Sequence, residues 1–258
     1  MVFTQIPVEP TYLIMSSTQE SGHGKNVASF EQLVSFCKGY GASYNPAKDS
    51  LKVSNLEAVF KNATALLAKV VTTRQALSNA INSRVTVFEG MKALLTRISS
   101  GLGAFGVSEL TLADVKGIMR KMRGERAGSS AKKAAVTKDG EAIRTISAAQ
   151  TGYDSQVEHM SRLVELLGKE AAYKPNEADL KVSALEGLLA KMKGANSTVA
   201  GAYTDYRNAL AGRDAFLYND LTGLVQLSKQ VKLYVKSVYG AQSAQYKQVS
   251  GLAFKVVG

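Results

Sequence analysis

The chain has 258 residues and a formal net charge of +11, with 32 Lys and Arg against 21 Asp and Glu. Apolar residues make up 45% of it, aromatic residues only 7%, and Cys37 is its one cysteine. A single cysteine excludes an internal disulfide, and the many small and aliphatic side chains favour packed helices. No window approaches roughly 18 uninterrupted apolar residues, and no basic region precedes an apolar run at the N-terminus. We therefore expect no membrane span and no signal peptide, and we place the chain in the cytoplasm.

The first forty residues change character from extended to helical. Residues 1–11 contain two of the four prolines and are expected to form an extended N-terminal arm. Tyr12–Met15 fits a short strand or an apolar plug, and the polar stretch Ser16–Asn26 predicts a turn. From Val27 to Cys37 the apolar residues recur at 3-4-3 spacing, which is typical of an amphipathic helix.

The chain contains an internal duplication. Tyr44–Glu57, YNPAKDSLKVSNLE, returns as Tyr173–Glu186, YKPNEADLKVSALE, at an offset of 129 residues. The correspondence extends on both sides and predicts repeat 1 over residues 12–124 and repeat 2 over 142–258, joined by a basic linker at 125–141. Near the end the offset becomes 134, so repeat 2 has gained about five residues. We expect its long helix to project further or to bulge.

A regular apolar pattern predicts a long helix in each repeat. Asn45-Pro46 has the composition of a helix start, with Asn as N-cap and Pro in the first turn. From Leu56 to Leu102, fourteen positions follow one another in alternating steps of four and three, and twelve of them are apolar. This heptad seam favours one continuous helix from about 47 to 102, although a hairpin near Asn82-Ser83 stays open.

A shorter third helix is predicted over Leu112–Met122, where apolar residues share one face. One repeat alone cannot bury its seam, but two repeats can do so around a pseudo-two-fold axis, as a homodimer would. We therefore predict an all-α fold: an elongated helical bundle from two tandem helix–long helix–short helix repeats, both packed as one bundle.

Two long strings carry a resemblance to known proteins. They are GHGKNVASFEQLVSFCKGYGASYNP, residues 22–46, and VKSVYGAQSAQYKQVSGL, residues 235–252. They resemble an uncharacterised family of bacterial all-helical tandem-repeat proteins, and the resemblance spans nearly the whole chain. It implies the helical fold and brings no activity, cofactor or site residue with it.

The sequence offers no catalytic, cofactor or metal constellation. The Gly22–Asn26 stretch has the Gly-Lys pair of a phosphate loop but lacks the earlier Gly and the Ser or Thr after the Lys. His23 and His159 are the only histidines, and they form no metal-ligand cluster with Cys37. We interpret Cys37 as a residue that packs in the core. We predict that the protein is not an enzyme, and the sequence indicates no small-molecule substrate.

The positive charge is concentrated in two corresponding zones. Residues 114–138 hold eight basic and two acidic residues, and residues 221–258 hold five lysines and no acidic residue. Such zones could contact nucleic-acid phosphates or an acidic protein surface, or they could belong to a protein that is merely basic. The candidate contact residues are Lys116, Arg120, Lys121, Arg123, Arg126, Lys132, Lys133, Lys229, Lys232 and Lys236.

Four charged residues interrupt the predicted seams: Arg74 and Arg84 in repeat 1, and Arg213 and Asp220 in repeat 2. Polar residues at seam positions can fix the register of paired helices, while a guanidinium can also extend to the edge of a bundle. Arg84 and Arg213 occupy equivalent places, and we hypothesise that they align the two long helices.

The combined pattern predicts a non-enzymatic structural or assembly protein that self-associates through helical surfaces or scaffolds another protein. The N-terminal arm is a candidate for docking onto a neighbouring subunit. The alternative is a basic protein that coats DNA or RNA without sequence preference.

Overall fold

The computed structural model describes residues 17–124 and 150–257. Within these ranges every regular element is helical and no strand is found, which confirms the predicted all-α helical bundle. The α-helices are α1 (Ser17–Gly39), α2 (Val53–Phe88), α3 (Met91–Ala104), α4 (Glu109–Arg123), α5 (Tyr153–Lys169), α6 (Val182–Tyr218), α7 (Leu224–Tyr239) and α8 (Ala244–Ser250). Short 3₁₀ turns lie at Gly41–Ser43, Asp49–Leu51 and Ala178–Leu180. The predicted arm, linker and Tyr12–Met15 segment lie outside the described residues.

The first helix begins earlier than predicted. The expected turn at Ser16–Asn26 is wrong for its described part, because α1 already runs from Ser17 and includes Gly22 and Gly24. Glycine lowers helix propensity, but packing of an amphipathic face supplies most of a helix's stability in a folded protein. Here His23 and Asn26 are buried with Val27 and Phe30, so tertiary contacts extend the helix through the glycines.

The entry into the long helix is also later than predicted. Asn45 does not cap it: the chain first forms the 3₁₀ turn at Asp49–Leu51, and α2 begins at Val53. The hydroxyl of buried Tyr44 donates to the carbonyl of Leu51 at 2.9 Å. This bond holds the residues after Asn45 in a compact loop, and the helix begins two residues after Leu51.

The predicted continuous helix from 47 to 102 is wrong, and so is a hairpin at Asn82-Ser83. Helix α2 continues through 82 and 83 and ends at Phe88, and α3 starts at Met91 after Gly90 adopts φ 75°. The apolar spacing survives the break because Phe88 and Met91 lie three positions apart and both are buried. The heptad spacing runs through both α2 and α3, so the spacing alone could not show that the chain forms two helices here.

The extra residues of repeat 2 lie mainly in a connector. Helix α6 has 37 residues and α2 has 36, so the long helix neither projects further nor bulges to hold the insertion. Five residues, 219–223, separate α6 from α7, whereas two separate α2 from α3. Asn219 closes this connector by accepting hydrogen bonds from the backbone N–H groups of Leu221 and Thr222.

Burial along the long helices follows every seventh residue. In α2 the row Leu56, Ala63, Val70 and Leu77 is buried, while Phe60, Leu67 and Ile81 of the alternate row are half-buried. In α6 the row Leu185, Met192 and Val199 is buried. The heptad seam therefore exists, but one of its two rows carries most of the burial.

The described residues form two compact units, and neither coincides with a predicted repeat. The first unit contains residues 17–75 and 204–257, and the second contains 76–124 and 150–203. In the first, Phe30 and Leu33 of α1 share a core with Val231 of α7 and Val249 of α8. In the second, Ile98 of α3 and Met119 of α4 share a core with Met160 and Leu163 of α5.

Each unit thus combines the first helix of one repeat with the last helices of the other. Matching contacts appear in both: the ring of Phe88 packs on Tyr153 at 4.8 Å, and the ring of Tyr218 packs on His23 at 5.5 Å. Pseudo-two-fold symmetry between the repeats stays a prediction.

Candidate interaction site

A buried polar cluster occupies the start of α1 in the first unit. His23 Nδ1 and the Tyr218 hydroxyl lie 2.6 Å apart, and Asn26 Nδ2 donates to the same hydroxyl at 3.1 Å. Asn26 also donates to the carbonyl of Lys255 at 2.6 Å and accepts from the backbone N–H of Lys255 at 3.0 Å. Because Asn26 is only 3% exposed, these bonds supply the partners that a buried amide requires.

A second anchor holds the residues that follow α8. The Lys232 ammonium, on α7, donates to the carbonyl of Leu252 at 2.5 Å and of Ser250 at 3.4 Å. It also lies 5.2 Å from the centre of the Phe254 ring, within the range of a cation–π contact. Burial lowers the pKa of Lys232 below its ordinary value. This lysine is therefore engaged with its own chain.

Gly22 completes the arrangement by its lack of a side chain. A Cβ placed on Gly22 would lie 2.9 Å from Cγ2 of Val257, closer than real side chains approach. We name the receptor formed by Gly22, Asn26, Tyr218 and Lys232 the peptide slot, and its occupant the 252–257 segment. In that segment Leu252, Phe254 and Val257 are half-buried, while Val256 is 69% exposed.

Two shallow, open grooves lie between α1 and α8, next to the slot. The larger has a volume of about 450 Å³ and is lined by Glu31, Gln32, Ser35, Phe36, Gln248 and Leu252. The Tyr40 hydroxyl lies beside the smaller groove and donates to the carbonyl of Gln245 at 3.0 Å. Neither groove is lined by a histidine or a cysteine.

The candidate contact residues fall into four groups. Lys116, Arg120, Lys229 and Lys236 are exposed, as expected for residues that contact an anion. Arg123 donates to Thr96 Oγ1 at 2.9 Å, and Lys232 donates to the carbonyl of Leu252 in the peptide slot. The half-buried Lys121 gives its backbone carbonyl to the N–H of Gln150. Arg126, Lys132 and Lys133 lie outside the described residues.

The seam residues have four different environments. Arg213 is 0% exposed and contacts Asp214 through Nε at 2.9 Å and a terminal nitrogen at 2.8 Å. The guanidinium of Arg84 lies 3.9 Å from the centre of the Tyr153 ring. Arg74 is exposed on α2, and Asp220 is exposed in the connector after α6, so Asp220 does not belong to a helical seam. The role of the three arginines in helix register stays a prediction.

The remaining reactive side chains are used in packing. Cys37 is fully buried in the first core, and burial raises its pKa to about 11. His159 is buried in α5 and lies 2.5 Å from Gln150 Oε1 through Nε2. Burial first, and then the charge of Lys121, lower the pKa of His159.

Sequence reasoning missed the peptide slot because it interpreted Gly22–Asn26 as a turn. A signal was present: His23 and Asn26 continue the spacing of Phe30, Leu33 and Cys37 in steps of three and four. Polar residues in phase with an apolar stripe indicate a buried polar contact. Their partners, Tyr218 and Lys255, lie about two hundred residues away and have no local signal.

Among residues 17–124 and 150–257, no group of three or more His, Cys, Asp or Glu side chains is arranged to hold a metal ion. Over the same residues, no helix combines the length and the apolar character that crossing a membrane requires. Comparison of the chain with protein-family models, with curated proteins and with solved structures finds no match. The resemblance to a bacterial tandem-repeat family therefore stays a prediction.

Proposed function

We propose that this chain is a non-enzymatic assembly protein that self-associates through its helical surfaces. The observation that carries the proposal is the composition of its two cores. Each core joins the first helix of one repeat to the last helices of the other, as Phe30 with Val231 and Met160 with Ile98 illustrate. A homodimer that exchanges helices would produce the same pairing if its two chains were joined.

The environments of the reactive side chains support a structural role. Cys37 lies in a core, where its raised pKa keeps it a thiol rather than a thiolate. His23 and His159 are both buried and bonded to Tyr218 and Gln150. These residues contribute packing and fixed polar contacts, which an assembly protein needs for a single well-ordered surface.

The mass of the native protein in solution tests the proposal. Light scattering after size exclusion should give a multiple of the 27.5 kDa chain mass, and the multiple should persist on dilution into the low micromolar range. A single-chain mass at every concentration, with no protein partner co-purifying, would exclude self-association and scaffolding together. Deletion of residues 1–11 tests the arm: an unchanged mass would remove it from the interface.

A second candidate is sequence-independent binding of nucleic acid. The observation that favours it is the exposure of Lys229, Lys236, Lys247 and Lys255, all from a stretch of the first unit without acidic residues. Affinity for a 30-base-pair duplex should fall steeply with salt, because each neutralised phosphate releases counterions. Replacing Lys229 and Lys236 by Gln should reduce the slope of log affinity against log salt by about 0.9 for each phosphate that is no longer neutralised. No gel shift at low salt would eliminate this candidate.

We also propose a cytoplasmic location, supported by the single, buried cysteine, which cannot form an internal disulfide. Fractionation of native cells with an antibody to the chain tests it, and recovery in a membrane or secreted fraction would contradict it.

A further inference from the structure

The stretch after α8 has a different structure from its counterpart in repeat 1. VKGIMRKMRG, residues 115–124, is helical as far as Arg123, whereas VSGLAFKVVG, residues 249–258, leaves the helix after Ser250. The second stretch has Phe254, Val256 and Val257 where the first has Arg120, Met122 and Arg123, and the replacements have lower helix propensity. Repeat 2 therefore presents a non-helical segment where repeat 1 has a helix.

The peptide slot holds this segment mainly through its main chain. Asn26 bonds both the N–H and the carbonyl of Lys255, and Lys232 bonds the carbonyl of Leu252. Main-chain bonds of this kind provide affinity for a non-helical peptide, while pockets for particular side chains provide selectivity. The Asn26 side-chain amide bonds Lys255 as the edge of a β-strand would, because it donates to the carbonyl and accepts from the N–H of the same residue.

Three side chains add the selectivity. Leu252 and Phe254 pack against the first core, and the space over Gly22 admits Val257. A matching peptide needs a large apolar residue at its first and third positions and a branched apolar residue at its sixth. Ala253 and Lys255 are exposed and place no such demand.

We propose that the peptide slot is a peptide-binding site and that its partner is the 252–257 segment of a second copy of this chain. The proposal rests on the self-association proposed above. Asn26, Lys232 and Gly22 contact the segment itself, so the same bonds can form whether the segment belongs to the same chain or to another. Every copy carries one slot and one segment, and a reciprocal exchange would satisfy both slots in a closed two-fold dimer.

A cysteine trap in full-length chains tests the exchange. One chain carries Gly22→Cys and the other carries Val257→Cys, positions close enough for a disulfide when the segment is bound. The new side chain at 22 also crowds its own Val257, which favours release of that chain's segment. Native Cys37 is fully buried with a raised pKa, so it does not compete. After mixing and mild oxidation, we expect a cross-linked product of twice the chain mass on a non-reducing gel.

The matched control replaces Gly22→Cys with Gly24→Cys. Gly24 also lies on α1, but a Cβ added there would meet no atom within 4 Å beyond its own helix backbone, so the mixture with the Val257→Cys chain should give a cross-link yield at least about fivefold lower. Equal yields for the two mixtures would overturn the proposal.

A second variant keeps the test decisive if Gly22→Cys fails to fold with Val257 present. The double variant Gly22→Cys/Val257→Cys in one chain removes the crowding valine. Cross-linked dimers that increase with protein concentration would support exchange, while internal disulfides in a single-chain product at every concentration would overturn it.

The mass of the unmodified protein separates the two proposals. If that protein is an oligomer while the Gly22→Cys mixture gives no more cross-linked product than the Gly24→Cys control, the slot proposal fails and self-association stands. If it has a single-chain mass and the trap stays at the control level, both fail.

Discussion

Tyr44 donates its hydroxyl hydrogen bond to the carbonyl of Leu51 at 2.9 Å, across the loop that precedes α2. Tyr173 and Leu180 form the same bond at 2.8 Å before α6. Burial raises the pKa of both tyrosines, that of Tyr173 to about 12, so both hydroxyls stay protonated and can donate. The duplicated stretch therefore encodes one loop twice.

The Tyr44→Phe variant should lower the free energy of unfolding by about 1–3 kcal/mol, because the buried Leu51 carbonyl loses its partner. Tyr173→Phe should do the same for Leu180. Tyr40→Phe is the matched control: its hydroxyl bonds Gln245 in a half-buried position, and its loss should cost less than about 1 kcal/mol. Urea unfolding measures all three, and equal losses for Tyr44 and Tyr40 would contradict the role of burial.

The three seam arginines should rank by burial when each is replaced by Leu. Arg213→Leu should cost about 2 kcal/mol or more, because Leu leaves part of the fully buried Arg213 site empty and cannot form its hydrogen bond to Asp214. Arg84→Leu should cost about 1 kcal/mol, since the cation–π contact with Tyr153 can no longer form. Arg74→Leu, at an exposed position, should change stability by less than about 0.5 kcal/mol.

Denaturant midpoints together with solution mass check this series. If Arg84 and Arg213 also set register, their variants should lose cooperativity or change assembly state, whereas Arg74→Leu should not. An Arg84→Leu protein with unchanged assembly and cooperativity would count against the register hypothesis.

The break between α2 and α3 depends on Gly90. Its φ of 75° is unfavourable for a residue with a side chain, so Gly90→Ala should destabilise the protein by about 1–2 kcal/mol. Gly103→Ala is the control: it lies in α3 with a negative φ and no atom within 4 Å of an added Cβ. That change should stabilise the helix by about 0.5–1 kcal/mol. Thermal unfolding distinguishes the two, and a neutral Gly90→Ala would contradict the assignment of the break.

Acid should destabilise the protein partly through His159. Its lowered pKa means that the folded chain binds fewer protons than the unfolded chain at mildly acidic pH. The stability that neutral His159 contributes is therefore fully present above its pKa in the unfolded chain, near 6.5. It decreases as the pH falls through the pKa of His159 in the folded chain. His159→Gln keeps a neutral donor for Gln150 and should show a smaller loss of stability between pH 7 and pH 5. Identical losses would show that His159 does not control this window.

The helical class, the core face of α1 and the position of α4 could all be predicted from the order of residues alone. Helical periodicity is a local property, and the stripe Val27, Phe30, Leu33, Cys37 and the face Val115, Met119, Met122 are buried as their spacing predicts. The duplication could also be detected in the sequence, because Tyr44 and Tyr173 begin two closely similar stretches. None of the described residues that form the peptide slot, apart from Lys232, was a candidate site residue.

The ends of α2, the helices that share each core and the place of the 252–257 segment depend on tertiary packing. The seam keeps its phase from Phe88 to Met91, so spacing alone does not distinguish one helix from two. Core sharing and the Asn26–Lys255 pair depend on contacts between residues far apart in the chain. Such contacts form because burial and hydrogen bonding offset the entropy cost of ordering distant segments. The spacing of residues within one segment does not determine which distant segment it will contact.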